Sequence, residues 1–575
     1  MALAAFQRGC PGYTRPLWRG GPAAVLAVLL AALVALPASA APWTPEQLYR
    51  DGLLSDGTPL QGTRDAGRSL IGPDAACAVC HRRSGLGTAE GKSVIPPISG
   101  DYLFRQRSTN LPEADDAPSA LPPRGQGGVL RSRSPYTVES LARALRDGVS
   151  SNGQPLSVLM PRYAIGDQDM AALIAYLRDL GTGETPGVTD DTLHFATIIT
   201  PDADPVARDG MLATMRQFFQ DRNHIIAGAA RPMAHDTHGV LYRVTRKWVL
   251  HVWTLTGPAT TWGEQLQAYR AREPVFAVLS GIGGADWEPV HHFCEVSHLP
   301  CLFPNVDVPV VRESDFFPVY FSRGLFLEAS LMADGIQSGV SAGSEAECGA
   351  AAPATTAVRR VVQVVRAGSG IESAARQLGE QLAAQGWQAE MRVLPGTGDR
   401  ATELARAVGV ASGTTLVLWL PPEDVAALPA QPPPGVSVWL SGLLGGLEQI
   451  PLPPAWQQVS ELSYPLELPE RRALAMTMPQ GWFRIKHIPL TSERVELQTY
   501  IACQILSETL GEMHVNFVPE YLVERLEVML SHRRFNGMYP RLSMAPGQRF
   551  ANKGGYLVHF AAPHRLVPDG DWRNP

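Results

Sequence analysis

The stretch Cys77-Ala78-Val79-Cys80-His81 decides how the first part of this chain folds. Its spacing, Cys-x-x-Cys-His, is the attachment signature of a c-type haem. Two thiols at this separation can each add to one porphyrin vinyl group, and the adjacent imidazole then lies under the iron as an axial ligand. The motif occurs once, so we expect one covalent haem c, held by Cys77 and Cys80 and ligated by His81.

A Cys-x-x-Cys pair by itself is also compatible with a redox disulfide or with half of a zinc site. The histidine directly after the second cysteine, the single copy of the motif and the export signal described next all favour haem.

The N-terminus has the features of an export signal. Three arginines before residue 20 are followed by an apolar run at 23–36 and by Ala38-Ser39-Ala40, a small-x-small cleavage site. We therefore predict a signal peptide at 1–40, cleaved near Ala40, and a periplasmic protein with no membrane span after cleavage. The alternative is an uncleaved anchor, but the apolar run is short for a full span.

Composition places the rest of the chain among globular proteins of several domains. The 575 residues are 45% hydrophobic and 18% charged, and length alone predicts two to four domains. A formal charge of -6 argues against nucleic acid as a partner.

The first domain is predicted at 43–182, and Met160 is its candidate for the second axial ligand. A thioether raises the potential of haem iron in electron carriers, and Pro161 stiffens the loop that would present it. Met170 lies on the apolar stripe of a helix and is interpreted as a core residue. A packed Met160, or another sixth ligand, is the alternative.

The haem motif, the later Met160-Pro161 and a final helix ending Ala175-Tyr176-Leu177-Arg178 resemble class I cytochrome c. The resemblance covers about a quarter of the chain. It implies an all-α haem domain whose first and last helices cross. Long segments before Cys77 and between His81 and Met160 depart from the family pattern.

After a Gly- and Pro-containing linker at 183–190, strands and helices alternate, which predicts parallel sheets covered by helices. We expect a first lobe mainly at 191–343 and a second mainly at 357–465, with a crossing at 345–356, later segments that cross between lobes, and a tail at 563–575. The predicted strands are 194–200, 249–255, 274–279, 301–303, 317–321, 361–365, 389–394, 415–420 and 436–440.

This organisation resembles the type I periplasmic solute-binding proteins, the group that includes branched-chain amino-acid receptors. The resemblance covers 191–562 and rests on export, on two successive α/β lobes, and on the segments 274–281 and 542–550. It implies a ligand held between two lobes that close over it.

Strand-end positions supply the candidate ligand-binding residues, because α/β sheets bind ligands at the carboxyl ends of their strands. For each residue the alternative is a turn or core position, and the ligand class stays open. The candidates are Trp262, Ser280, Gly281, Tyr320, Ser322, Trp419 and Ser441.

Four cysteines remain outside the signal and the haem motif. Cys294 and Cys301 are predicted to form a disulfide in an oxidising compartment. The alternative is a metal site that combines them with His291, His292 and His298. Cys348 and Cys503 are a second candidate pair.

The leading functional hypothesis is a periplasmic mono-haem electron carrier whose binding region docks a redox partner, such as a dehydrogenase or another cytochrome, or senses a small solute. The alternative is a solute receptor with an accessory haem domain. We expect no enzyme activity, since a peroxidase of the bacterial cytochrome type would need a second haem motif. We find no nucleophile elbow, phosphate loop or metalloprotease motif.

Overall fold

The computed structural model describes residues 42–64, 67–90, 93–104, 134–229, 246–312, 314–339, 359–368, 370–395, 398–513, 516–532, 537–563 and 565–575. The predicted signal peptide at 1–40 and the predicted crossing at 345–356 lie outside these residues. Among the described helices, none combines the length and the apolar character needed to cross a bilayer.

Within its described residues, the first domain has five α-helices and five short strands. Its helices are α1 (Pro45–Asp51), α2 (Cys77–His81), α3 (Gly100–Phe104), α4 (Val138–Asp147) and α5 (Asp167–Asp179). Its strands are β1 (Gln61–Thr63), β2 (Ser69–Ile71), β3 (Thr88–Glu90), β4 (Ser93–Ile95) and β5 (Arg162–Ala164). Helix α1 starts after Thr44, whose backbone N–H donates to the side chain of Gln47 at 3.0 Å, and it packs on α5.

The all-α expectation for this domain is only partly met. Strands β2, β1 and β5 form an antiparallel sheet in that order, and β3 pairs with β4 as a hairpin. The cause lies in the long segments on either side of the haem motif, whose backbone groups need partners once they are packed. Gly62 of β1 allows a close approach, because a Cβ there would lie 3.0 Å from Cβ of Pro161.

The first lobe is a parallel five-stranded sheet with the order β10-β9-β8-β6-β7. Its elements are β6 (Thr192–Ile199), α6 (Pro205–Ala229), β7 (Lys247–Thr254), α7 (Trp262–Arg272), β8 (Ala277–Leu279), α8 (Glu288–Val296), β9 (Cys301–Leu302) and β10 (Pro318–Val319). Fully buried runs such as the second half of β6, which is apolar apart from Thr197, are what a sheet covered on both faces requires.

The second lobe repeats the strand order of the first and extends it. Its sheet runs β12-β11-β13-β14-β15-β16-β17, parallel up to β15 and antiparallel beyond it. The elements are α9 (Leu325–Ser338), β11 (Arg360–Arg366), α10 (Glu372–Ala383), β12 (Gln388–Leu394), α11 (Arg400–Ala407), β13 (Thr414–Trp419), α12 (Pro422–Val425), β14 (Ser437–Ser441), α13 (Gly442–Gly445), α14 (Pro454–Gln457), β15 (Ser460–Tyr464), α15 (Pro469–Ala475), α16 (Thr477–Ile485), α17 (Glu493–Met513), α18 (Pro519–His532), β16 (Tyr556–Ala562) and β17 (Arg565–Pro568).

Several segments cross between the lobes. Helix α9 packs on α10, so the chain enters the second lobe by Leu325, earlier than the boundary predicted at 343. Helix α17 returns to pack on α6 of the first lobe. Strand β17 pairs with β16, so the residues assigned to a tail at 563–575 begin with a strand of the second sheet.

Candidate haem centre and interlobe cleft

Helix α2 consists of the five residues of the haem motif. Cys77 and Cys80 are three positions apart, so they lie on the same side of the helix. Both residues carry thiols; Cys77 is buried and Cys80 partly exposed. Burial raises the pKa of Cys77 to about 12, because an apolar pocket disfavours a thiolate. The motif therefore lies against the apolar surroundings that a porphyrin needs.

His81 is buried, and one contact fixes which of its ring nitrogens is free to bind a metal. Its Nδ1 lies 2.9 Å from the carbonyl oxygen of Pro96. A carbonyl can only accept, so Nδ1 carries the proton and Nε2 keeps its lone pair. Burial is the main reason that the pKa of His81 is lowered, which favours the neutral imidazole that ligates iron. Sequence reasoning missed Pro96, since nothing local marks it as a partner.

Met160 is half-buried and packs against the apolar cluster that contains Cys77. Its backbone N–H donates to Ser157 O at 2.9 Å, so it closes a tight turn before Pro161. The close packing of Gly62 on Pro161 holds that turn against strand β1. Met170, the alternative candidate, is buried in the same cluster on α5. The motif and the two candidate methionines thus share one core.

The chain leaves the haem motif through a left-handed residue. Arg82 has φ 66°, and its carbonyl oxygen accepts a hydrogen bond from Tyr49 OH at 2.6 Å. This turn directs the segment 82–84 away from α2 and toward helix α18 of the binding region.

Helix α18 meets the first domain through three glutamates spaced along one side. Glu520 lies 3.6 Å from Arg50. The carboxylate of Glu524 accepts from the backbone N–H of Ser84 at 3.0 Å and from its hydroxyl at 2.5 Å. The third, Glu527, pairs with Arg82. Arg82, the residue after His81, is therefore tied to the two-lobed region by a buried charge.

Glu527 also joins Arg82 to the interior of the binding region. Its second oxygen pairs with Arg549, whose guanidinium donates to Phe316 O at 2.9 Å. Burial raises the pKa of Glu524 to about 7, against the opposing effects of Arg82 and Ser84. The interface therefore holds two buried carboxylates, of which Glu527 is balanced by two arginines.

A cleft lies where both lobes and the crossing segments meet. Near its wall Arg494 Nη1 and Asp307 Oδ1 are 2.9 Å apart, and both side chains are partly exposed. Asp307 is the main reason that the pKa of Arg494 is raised. The lining residues are Pro304, Val306, Asp307, Tyr320, Phe321, Ser322, Gly324, Leu443, Pro465, Leu466, Arg494, Gln498 and Tyr539.

Two of the seven predicted ligand-binding residues, Tyr320 and Ser322, line this cleft. The Tyr320 hydroxyl is bound to His291 Nδ1 at 2.7 Å, so the phenol is already engaged. Its backbone N–H donates to Arg549 O at 2.8 Å, which connects the cleft wall to the residue that holds Glu527.

The other five predicted residues do not line the cleft. Ser280, with φ 55°, bonds to Asn305 at 2.9 Å and to Thr499 at 3.1 Å. Gly281 has φ 100° and follows it in the same buried turn. These strand ends face helix α17. The helix occupies the space next to them in which the sequence analysis expected a ligand.

The remaining three are core or helix-cap residues. Trp262 donates to Gly257 O at 3.1 Å, and Trp419 donates to Gln363 at 2.9 Å. Ser441 caps α13 and binds Glu328. Each of the three therefore occupies a turn or core position, which was the alternative to a ligand-binding role.

Cys294 and Cys301 form a disulfide. The alternative metal cluster does not assemble: His291 is buried between Tyr320 and Asp315, while His292 and His298 are exposed. Cys503 is buried with a free thiol, and Cys348, its predicted partner, lies outside the described residues.

Comparison with known proteins bears on the two parts separately. Residues 65–181 match the sequence model of the cytochrome c family. No curated protein matches the chain significantly.

Three solved structures illustrate the likeness of the remainder. The leucine-binding protein LivK of Thermotoga maritima is 12% identical, with 67% of this chain and 99% of that chain covered and a TM-score of 0.46. A substrate-binding periplasmic protein of Ralstonia solanacearum is 12% identical, with coverages of 66% and 100% and a TM-score of 0.47. A branched-chain amino-acid ABC transporter protein of Thermus thermophilus, solved with valine, is 10% identical, with coverages of 67% and 97% and a TM-score of 0.48. The two-lobed architecture itself is defined by the repeated strand order of this chain.

The chain thus combines a segment that matches the cytochrome c family model with a two-lobed α/β region. The residues around α2 fit haem c: two thiols at the required spacing, a buried imidazole with Nε2 available, and an apolar cluster against which a ring can pack.

Proposed function

We propose that this protein is an exported single-haem c-type cytochrome of class I that carries single electrons. Cys77 and Cys80 hold the haem, and His81 and Met160 ligate its iron. The hydrogen bond from His81 Nδ1 to Pro96 O carries the proposal, because it prepares the other ring nitrogen for a metal.

When bound, the haem supplies an iron that alternates between the ferrous and ferric states. Pro96 fixes the tautomer and orientation of His81. The buried cluster around Cys77 and Leu173 excludes water from that side of the site. A dry pocket and a thioether ligand both favour the reduced state, which suits a protein that accepts electrons from a dehydrogenase or another cytochrome.

Haem attachment can be tested in a host that matures c-type cytochromes. We expect red protein whose pigment survives acid–acetone extraction, and one haem per chain by the pyridine haemochrome assay. The double variant Cys77→Ala/Cys80→Ala should release any pigment on extraction. Colourless wild-type protein would refute the electron-carrier function and leave the binding region standing alone.

Export and the absence of enzyme activity belong to the same proposal. N-terminal sequencing of the mature protein should give Ala41 as its first residue. Peroxide turnover by purified protein should not exceed that of a Met-ligated carrier, and rapid turnover would indicate an open iron position instead.

We further propose that the binding region senses a small solute and communicates its presence to the haem. A continuous set of contacts supports this: Tyr320 at the cleft binds the backbone of Arg549, and Arg549 pairs with Glu527. Glu527 in turn pairs with Arg82, the neighbour of the haem ligand. A ligand that closes the cleft and moves Tyr320 would therefore change the position of charges near the iron.

The test is the haem midpoint potential with and without a solute that binds. We expect a shift in wild-type protein, and a smaller shift in Glu527→Gln, which breaks the set of contacts without touching the cleft. An identical potential with every bound solute would refute coupling while leaving electron transfer intact.

The second candidate function is a solute receptor with an accessory haem. The partly exposed pair of Asp307 and Arg494 favours it, since a zwitterionic solute could place its ammonium on one and its carboxylate on the other. Isothermal titration with zwitterionic amino acids, in the ferric and ferrous states, separates the two functions. Tight binding that is lost in Arg494→Gln and indifferent to the haem state would favour the receptor.

A further inference from the structure

Three side chains of types that can bind metals lie together on the antiparallel side of the second sheet, and none of them lines the cleft. Glu461 of β15 is directly opposite His559 of β16, and Asp569 directly follows β17. One ligand atom from each residue can be chosen so that all three lie within 4.8 Å of one another.

Burial makes this group unusual. Glu461 is 0% exposed, and both of its carboxylate oxygens lack a hydrogen-bond partner. Asp569 has one oxygen bound to His559 Nδ1 at 2.7 Å and a second that is buried and without a partner. Among the residues that the structure describes, no lysine or arginine pairs with either carboxylate. A buried carboxylate without a hydrogen-bond partner, next to a second carboxylate, is strongly unfavourable unless a proton or a cation neutralises it.

We propose that Glu461, His559 and Asp569 bind one divalent first-row metal ion, with Zn²⁺ as the best match. One imidazole and two carboxylates are a set that zinc accepts, and their two negative charges neutralise the ion. Calcium and magnesium are disfavoured, since both take oxygen ligands almost exclusively.

The ligand atoms of the three residues lie near the separations that a tetrahedral ion requires. Tetrahedral zinc with bonds of about 2.1 Å places its ligand atoms roughly 3.4 Å apart, so small side-chain rotations are sufficient. The side chains of His559 and Asp569 are 27% and 17% exposed. The solvent side of the site can therefore supply a water as the fourth ligand, while Glu461 closes the inner side.

The competing arrangement is a proton in place of the ion. Burial, and after it the proximity of Asp569, raises the pKa of Glu461 well above its usual range. A protonated Glu461 would then donate to Asp569, and no metal would be needed. Titration with zinc distinguishes the two arrangements directly.

The experiment uses the haem-loaded full chain, stripped with chelator and titrated with Zn²⁺ against a chromophoric zinc indicator. We expect one zinc per chain, with affinity at least about tenfold weaker in Glu461→Gln and in His559→Gln. His292→Gln, which removes an exposed imidazole by the same substitution, should stay within about twofold of wild type. Wild-type affinity in both site variants, or no zinc uptake by wild-type protein, would overturn the proposal.

A second measurement is made on wild-type protein alone, so it does not depend on whether a variant folds. Zinc X-ray absorption of the wild-type complex should show nitrogen and oxygen ligands, including one imidazole and no sulfur. A sulfur ligand, or a shell without imidazole, would place the ion elsewhere and overturn the assignment.

In the metal-free state Glu461→Gln should unfold at the wild-type temperature or above, so that a lost zinc response cannot be attributed to misfolding.

Discussion

Ser84 and Glu524 are 440 positions apart in the chain, yet both the backbone N–H and the hydroxyl of Ser84 donate to the Glu524 carboxylate. Ser84 lies three residues after His81, the proposed haem ligand, and Glu524 belongs to helix α18 of the two-lobed region. The segment that follows the haem motif is therefore anchored to the second part of the molecule through both a backbone N–H and a side chain.

Glu524 makes the stability of this contact depend on pH. Its pKa is about 7 in the folded protein, whereas an unfolded glutamate titrates near 4.3. The folded state thus holds the proton more tightly, and the corresponding stability is fully present below about pH 4.3 and is lost as pH rises through 7.

Between pH 4 and pH 8, wild-type protein should lose on the order of 3 kcal/mol of unfolding free energy relative to Glu524→Gln. Guanidinium unfolding at both pH values, followed by haem absorbance, measures the difference. Parallel pH dependences in the two proteins would contradict the assignment of the proton to Glu524.

Glu527→Gln should be strongly destabilising, because it leaves the buried guanidinium of Arg549 without its anion. Breaking a buried pair in this way costs about 3 to 5 kcal/mol. The matched control is Glu288→Gln, whose partner Arg312 is 46% exposed, and for which about 1 kcal/mol or less is expected. Equal losses in the two variants, measured by urea unfolding, would contradict the buried network.

Met160→Ala should remove the near-infrared band that marks methionine ligation and lower the midpoint potential by tenths of a volt, within the about 0.8 V that axial ligands control. Met170→Leu keeps the volume of the core and should preserve both band and potential. If the band persists in Met160→Ala and disappears in Met170→Leu, the two roles are reversed.

The disulfide between Cys294 and Cys301 closes a short loop, so Cys294→Ser/Cys301→Ser should cost about 2 to 3 kcal/mol. Alkylation followed by mass spectrometry gives an independent check.

The buried thiol of Cys503 should react only after unfolding, and rapid labelling of Cys503 in native protein would contradict its burial.

The sequence patterns predicted several of the longer strands of both lobes because each depends on local chemistry. The apolar run predicted at 194–200 corresponds to strand β6, and the run predicted at 415–420 corresponds to β13. The spacing of Cys77, Cys80 and His81 identified the haem motif in the same way. Strands of three residues, such as β1 and β5, carry too little periodicity to be recognised.

The cleft could not be located from strand ends alone. Ser280 lies at the end of β8 as the rule expects, but Thr499, 219 residues later, reaches it from α17. Which strand ends stay open depends on where a late helix packs, and amphipathicity shows only that the helix packs somewhere. The same limit applies to Glu524, whose partner in the haem domain has no signal in the sequence around it.

The position of α18 near the end of the chain has a consequence for maturation. In the export that we propose, residues 77–84 emerge hundreds of residues before the helix that later binds Ser84. The attachment machinery can therefore reach Cys77 and Cys80 while that surface is still bare, and a chain truncated before residue 519 should still become pigmented.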